Sequence, residues 1–122
     1  MGIKGRTLTK TGEKKKSNIL VSKQNLDRRF VVAFKYRLQN GYGLDELQKD
    51  NLKELQRFLD KISKMNVSDV DKQFKRKNDK NDSFEGQQVH HYEVSKKFRI
   101  HGIIEEGRFK VIRLDPNHKV HK

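Results

Sequence analysis

The stretch from Phe98 to Leu114 constrains this chain most. Apolar and polar residues alternate on either side of Glu105-Glu106-Gly107, the mark of two half-buried strands joined by a turn. A three-residue turn is expected, with Gly107 supplying a positive φ and Ile104 opposite Arg108. Because side chains alternate across a strand, Phe98, Ile100, Ile112 and Leu114 then share one face. Arg99, His101, Phe109 and Arg113 share the other. In that register Arg99 lies opposite Arg113. Like charges directly opposed are destabilising, so an anion such as a phosphate is expected between them. Asp115-Pro116-Asn117 ends the second strand, since proline cannot continue a ladder internally.

Upstream, Phe30 to Leu38 reads as a strand with Phe30, Val32, Phe34, Tyr36 and Leu38 on one side and Lys35 and Arg37 on the other. Asn40-Gly-Tyr-Gly43 punctuates its end. From Leu44 to Met65, Leu44, Leu47, Leu52, Leu55, Phe58, Leu59, Ile62 and Met65 recur at helical spacing, which predicts an amphipathic helix covering a core. A second helix is expected from Ser68 as N-cap to about Lys77, burying Val70 and Phe74. Residues 78–83 read as a loop, and Val89 to Val94 as an edge strand. The expected fold is therefore α+β: an N-terminal strand, two helices, then a C-terminal antiparallel sheet of two to three strands. Residues 1–18 are expected to form a flexible basic arm and 19–122 a single α+β domain.

Charge narrows the function. The 122 residues carry a formal net charge of +13, with 37% charged and 32% apolar residues, so the core must be small. Residues 1–23 hold seven basic residues and one acid, whereas 44–71 hold seven acids and five bases. The positive charge thus lies outside the main helix, and such a distribution favours polyanionic partners. The absence of cysteine excludes disulfides, thiolate nucleophiles and cysteine–zinc sites, and fits a cytoplasmic setting. No apolar run approaches a membrane span, so no membrane partner is expected.

Arg99 and Arg113 are the first candidate site residues, because a guanidinium fork matches phosphate oxygens and keeps its charge. His101 and His118 are candidate proton carriers, since imidazole titrates near neutrality. RNA cleavage by 2′-hydroxyl attack needs a base and an acid. Phe109 is placed to stack a base, and Lys35, Arg37, Lys110 and Lys119 to meet the phosphate backbone. The histidine spacing matches no zinc pattern, so neither a metal nor a cofactor is expected. No Gly-x-Gly-x-x-Gly run is present, which argues against a dinucleotide fold.

Arg99-Ile-His101, Phe109-Lys-Val-Ile-Arg113 and Asp115-Pro-Asn-His118 together make Phe30 to His121 resemble the RelE/ParE superfamily of bacterial toxins. That resemblance implies one or two helices before an antiparallel sheet and a metal-independent, ribosome-assisted mRNA endoribonuclease. By it, Arg99 and Arg113 hold phosphate, His118 serves as acid or base, and an acidic antitoxin segment is the protein partner. The alternative is a non-enzymatic basic protein of phage or plasmid origin that binds nucleic acid or nucleoprotein. The basic arm favours this, since arms add salt-sensitive affinity without chemistry.

Overall fold

The computed structural model describes residues 28–120. The expected basic arm and His121 lie outside the described residues. Strand β1 is Val32–Ala33. A 3-10 turn at Leu44–Glu46 precedes helix α1, Lys49–Ile62, and helix α2, Val67–Phe74. Strands β2 (Lys75–Arg76), β3 (Ser83–Phe84), β4 (Gln87–Gln88), β5 (His90–Glu93), β6 (Arg99–Glu105) and β7 (Arg108–Asp115) follow. The main sheet has five strands in the order β1-β7-β6-β5-β2, and β3 with β4 forms a separate hairpin. Only the β1–β7 pairing in this sheet is parallel.

The α+β class and the two helices agree with the sequence, but five strands replace two to three. The extra ones are short. Lys75–Arg76, expected as the end of the second helix, instead pairs with Tyr92 and His91 as the edge strand, which moves Val89 to Val94 inward. The strand expected over Phe30 to Leu38 shrinks to two residues, and its side chains do not share a face. Phe30 is buried, Tyr36 joins a different cluster and Phe34 is 53% exposed. Helix α1 starts late because Gln48 and Asn51 form a capping box there, the Gln48 backbone N–H donating to Asn51 Oδ1.

The core lies between the helices and one sheet face. Leu55, Phe58 and Ile62 of α1 and Val70 of α2 pack on Tyr92, Phe98, Ile100, Phe109, Val111 and Leu114. Aromatic contacts tie Phe30 to Tyr92 and Phe109. The opposite sheet face carries a smaller cluster, Val89, Ile103 and Ile112, with Tyr36 and Phe84 against it. Phe84 belongs to the β3–β4 hairpin, so residues 78–88 form a flap over this second face.

The register of the β6–β7 hairpin departs from expectation twice. The turn has two residues rather than three: Glu105 pairs with Arg108, while Glu106 and Gly107 both take positive φ, 57° and 74°. That geometry matches the twist of the flanking strands, which a looser turn would splay. The ladder then bulges at His101/Gly102, where Val111 faces Gly102 and Arg113 faces His101, leaving Ile112 as the extra residue. Gly102 permits this because a Cβ there would collide with the Lys110 carbonyl. The two displacements together set Arg99 opposite Asp115, not Arg113.

Candidate functional site

The arginine pair does not form a clamp. The Arg99 guanidinium turns back on its own loop, Nη1 donating to the Ser95 and Lys96 carbonyls at 2.7 and 2.9 Å, while Nη2 meets Glu93 at 3.4 Å. Arg113 is buried, its Nη2 donating to Asp82 Oδ1 at 2.6 Å and Nη1 to Oδ2 at 3.3 Å. The phosphate expected between two guanidinium groups is replaced by the chain's own carboxylates.

His101 is 1% exposed, with Nδ1 lying 3.3 Å from Arg113 Nη1. A guanidinium can only donate, so Nδ1 is the acceptor in this contact. Phe109 sits in the helix-covered core at 1% exposure and offers no face to a base. Its predicted exposure followed from the three-residue turn; the two-residue turn rotates it inward. Lys110 is buried, its Nζ 3.4 Å from Glu105 and 3.3 Å from Glu106. Lys35 pairs with Glu105 at 2.8 Å, and the Tyr36 hydroxyl donates to the same carboxylate. Glu105, expected from sequence in the turn, is thus an ion-pair hub. The Lys35 and Tyr36 hydrogen bonds hold its carboxyl at about 2, well below its ordinary value of 4.5.

Two places remain chemically distinctive. The first is a row across three adjacent strands. His91 of β5 pairs with His101 of β6, which pairs with Arg113 of β7. The imidazole rings lie 4.2 Å apart by centroids. Asp82, from the flap, faces the row: its Oδ2 accepts from His91 Nε2 at 3.1 Å while both oxygens take the Arg113 fork. Asp82 is not among the expected site residues, and His91 enters only through the histidine spacing set aside for zinc. Asp82 looked like loop composition, and His91 gains meaning only once β5 and β6 are in register. Asp82, His91 and His101 also bring three ligand atoms within 4.8 Å of one another. A divalent cation there meets a permanent guanidinium charge already neutralising the carboxylate, so the donor set fits an ion-pair network better than a metal centre.

The second place is the far end of the hairpin. Lys96, Lys97, Asn117, His118 and Lys119 line a shallow cleft of about 400 Å³ with no carboxylate on its wall. Asp115 builds it from behind, accepting the Lys119 and Val120 backbone N–H groups at 2.9 Å each. That turn holds His118 at a positive φ of 53° beside three exposed lysines. Arg37 is exposed elsewhere, in the loop around Gly41 and Gly43. Of the nine predicted site residues, the structure therefore brings only His118 and Lys119 together on open surface. A cavity of about 580 Å³ between α2 and the hairpin turn, walled by Val67, Tyr92, Ile104 and Phe109 with Asp71 and Glu106, adds no predicted residue except Phe109.

Among the described residues no helix is long and apolar enough to cross a membrane. Comparison of the chain with protein-family models, curated proteins and solved structures gave no match.

Proposed function

We propose that this protein binds RNA, free or on the ribosome, through the basic cleft at the end of the hairpin, without a cofactor and in the cytoplasm. The observation that carries the reading is that Lys96, Lys97 and Lys119 converge on one cleft, with His118 beside them and no acid on its wall. Elsewhere, Lys35, Arg99, Lys110 and Arg113 are each matched to a carboxylate. Adjacent unmatched ammonium groups attract phosphates by charge and counterion release, which needs no chemistry. The net charge of +13 on the whole chain adds to the same attraction.

The test is binding of labelled single-stranded RNA to the full chain across a salt series. Lys96→Glu, Lys97→Glu and Lys119→Glu combined should weaken binding by about tenfold or more and flatten its salt dependence. Unchanged affinity and slope would remove the cleft from the interface.

A second reading is the metal-independent endoribonuclease of a toxin pair, with an acidic antitoxin as protein partner. The specific observation in its favour is His118, a titratable ring set beside the three lysines that would hold the scissile phosphate. Two helices between the first strand and the antiparallel strands are in keeping with the layout the RelE/ParE resemblance implies. Cleavage of mRNA in a translation extract that disappears with His118→Ala favours this reading. Tight, salt-sensitive binding with the RNA left intact favours the binder.

A further inference from the structure

We propose that His91, His101 and Arg113 form a second phosphate-binding site on the flap side of the sheet, and that Asp82 occupies it in this structure as a built-in anion. The proposal stands on the row across β5, β6 and β7 and does not depend on the lysine cleft.

The geometry is that of an anion site. Three N–H donors meet one anionic group: Arg113 Nη2 and Nη1 at 2.6 and 3.3 Å, and His91 Nε2 at 3.1 Å. The two non-bridging oxygens of a phosphodiester can take the same fork and the same imidazole, because guanidinium recognises carboxylate and phosphate by one planar pattern. The carboxylate leaves one donor over. Arg113 is 4% exposed, and its buried Nε has no hydrogen-bond partner among the described residues. A carboxylate with two oxygens satisfies the two terminal nitrogens. A phosphate seated on the Nη2–Nε edge of the guanidinium satisfies that nitrogen instead.

The anion arrives from a separable element. Asp82 stands in the 78–88 flap, where Gln88 Nε2 donates to the Asp79 and Asp82 carbonyls, and the Asp82 carbonyl also accepts from Val89 N–H at the flap's end. Against the sheet body the flap is held by the Asp82 network, by Phe84 edge-on to Tyr36 at 5.0 Å, and by Asn78 at 3.4 Å from His90. Lifting the flap uncovers Arg113 and the two imidazoles beside the small apolar cluster of Val89, Ile103 and Ile112. A buried ion pair contributes little net stability compared with apolar packing, so exchanging one anion for another costs less than the contact distances suggest.

The experiment uses the full chain with Asp82→Asn, which keeps shape and removes the competing charge. Inorganic phosphate and a short single-stranded RNA are the probes, followed by NMR of the histidine and arginine side-chain nitrogens. Asp82→Asn should bind inorganic phosphate about tenfold or more tightly than the wild type, with saturating shifts at His91, His101 and Arg113 Nε. Adding Arg113→Gln should abolish that gain. Response to inorganic phosphate but not to RNA identifies a small-anion site; response to both identifies the RNA backbone as a source. Equal affinity of wild type and Asp82→Asn, or a gain that survives Arg113→Gln, overturns the proposal. Should Asp82→Asn fail to fold, the wild type carries the test: phosphate must perturb His91 and Arg113 Nε in a saturable way, and their silence overturns the proposal equally. Lys96→Glu, Lys97→Glu and Lys119→Glu should leave this response intact, which separates failure here from failure of the cleft.

Discussion

The two faces of the main sheet are both covered, but by different physics. The helix side is closed by hydrocarbon and aromatic rings: Phe58 and Val70 from the helices on Tyr92, Phe98, Ile100, Phe109 and Leu114 from the strands. The flap side is closed by charge and hydrogen bonds, with Asp82, His91, His101 and Arg113 beside a cluster of only three fully buried apolar residues. Apolar burial is non-directional and pays in proportion to area. A buried ion network is directional and roughly breaks even against its desolvation cost. The helix face therefore supplies most of the stability, and the flap face is where buried charges of the sheet are paired.

The sharpest way to break this comparison is to cut each face in turn. Phe109→Ala removes a ring packed on Phe30 and Tyr92 and should cost roughly 4 kcal/mol in urea unfolding. Phe84→Ala, on the half-buried flap ring, should cost less than half as much. Equal losses would show that the flap face carries a full share of the stability.

The next effect is smaller and tests the ion network itself. Arg113→Met takes the guanidinium fork from Asp82, leaving His91 to meet the carboxylate, and should cost roughly 3 kcal/mol. Adding Asp82→Leu should recover most of that loss, to within about 1 kcal/mol of the wild type. A double variant as unstable as the single one would mean that the network, not its imbalance, holds the flap.

The same contrast explains what was legible in the sequence. Helical periodicity from Leu47 to Ile62 and the hairpin from Arg99 to Asp115 were readable because apolar spacing reports directly on a face that faces hydrocarbon. Register was not readable. It depends on Glu106 accepting a positive φ and on the Lys110 carbonyl approaching Gly102, and neither leaves a periodic signature. Those two local events moved Arg99 from Arg113 to Asp115 and turned Phe109 into the core. Charged partners are harder still. Asp82 and Arg113 lie 31 residues apart, and nothing in composition links a loop carboxylate to a strand guanidinium. The candidate site was therefore legible at His118 and Lys119, which a local turn brings together, and illegible where three strands and a flap must converge.

The smallest expected effect concerns Glu105, at the rim between the two faces. Its carboxylate accepts from Lys35 and Tyr36, with Lys110 nearby, and these partners hold its carboxyl at about 2 against an ordinary 4.5. The folded state therefore keeps Glu105 ionised where the unfolded chain has taken up a proton. A depressed carboxyl contributes stability that is fully present above the ordinary value and is lost as pH falls toward the folded one. Glu105→Gln should accordingly lower the melting temperature at pH 6 and make progressively less difference between pH 4.5 and pH 2. Because Lys35 is half exposed, solvent screens the pair and the shift should be modest and reduced by salt. His90 supplies the internal control. Burial, then Lys75, push its pKa below the ordinary 6.5, so its contribution is complete above 6.5 and falls away at lower pH through a separate step. An acid limb that is unchanged by Glu105→Gln would show that the rim does not set acid sensitivity.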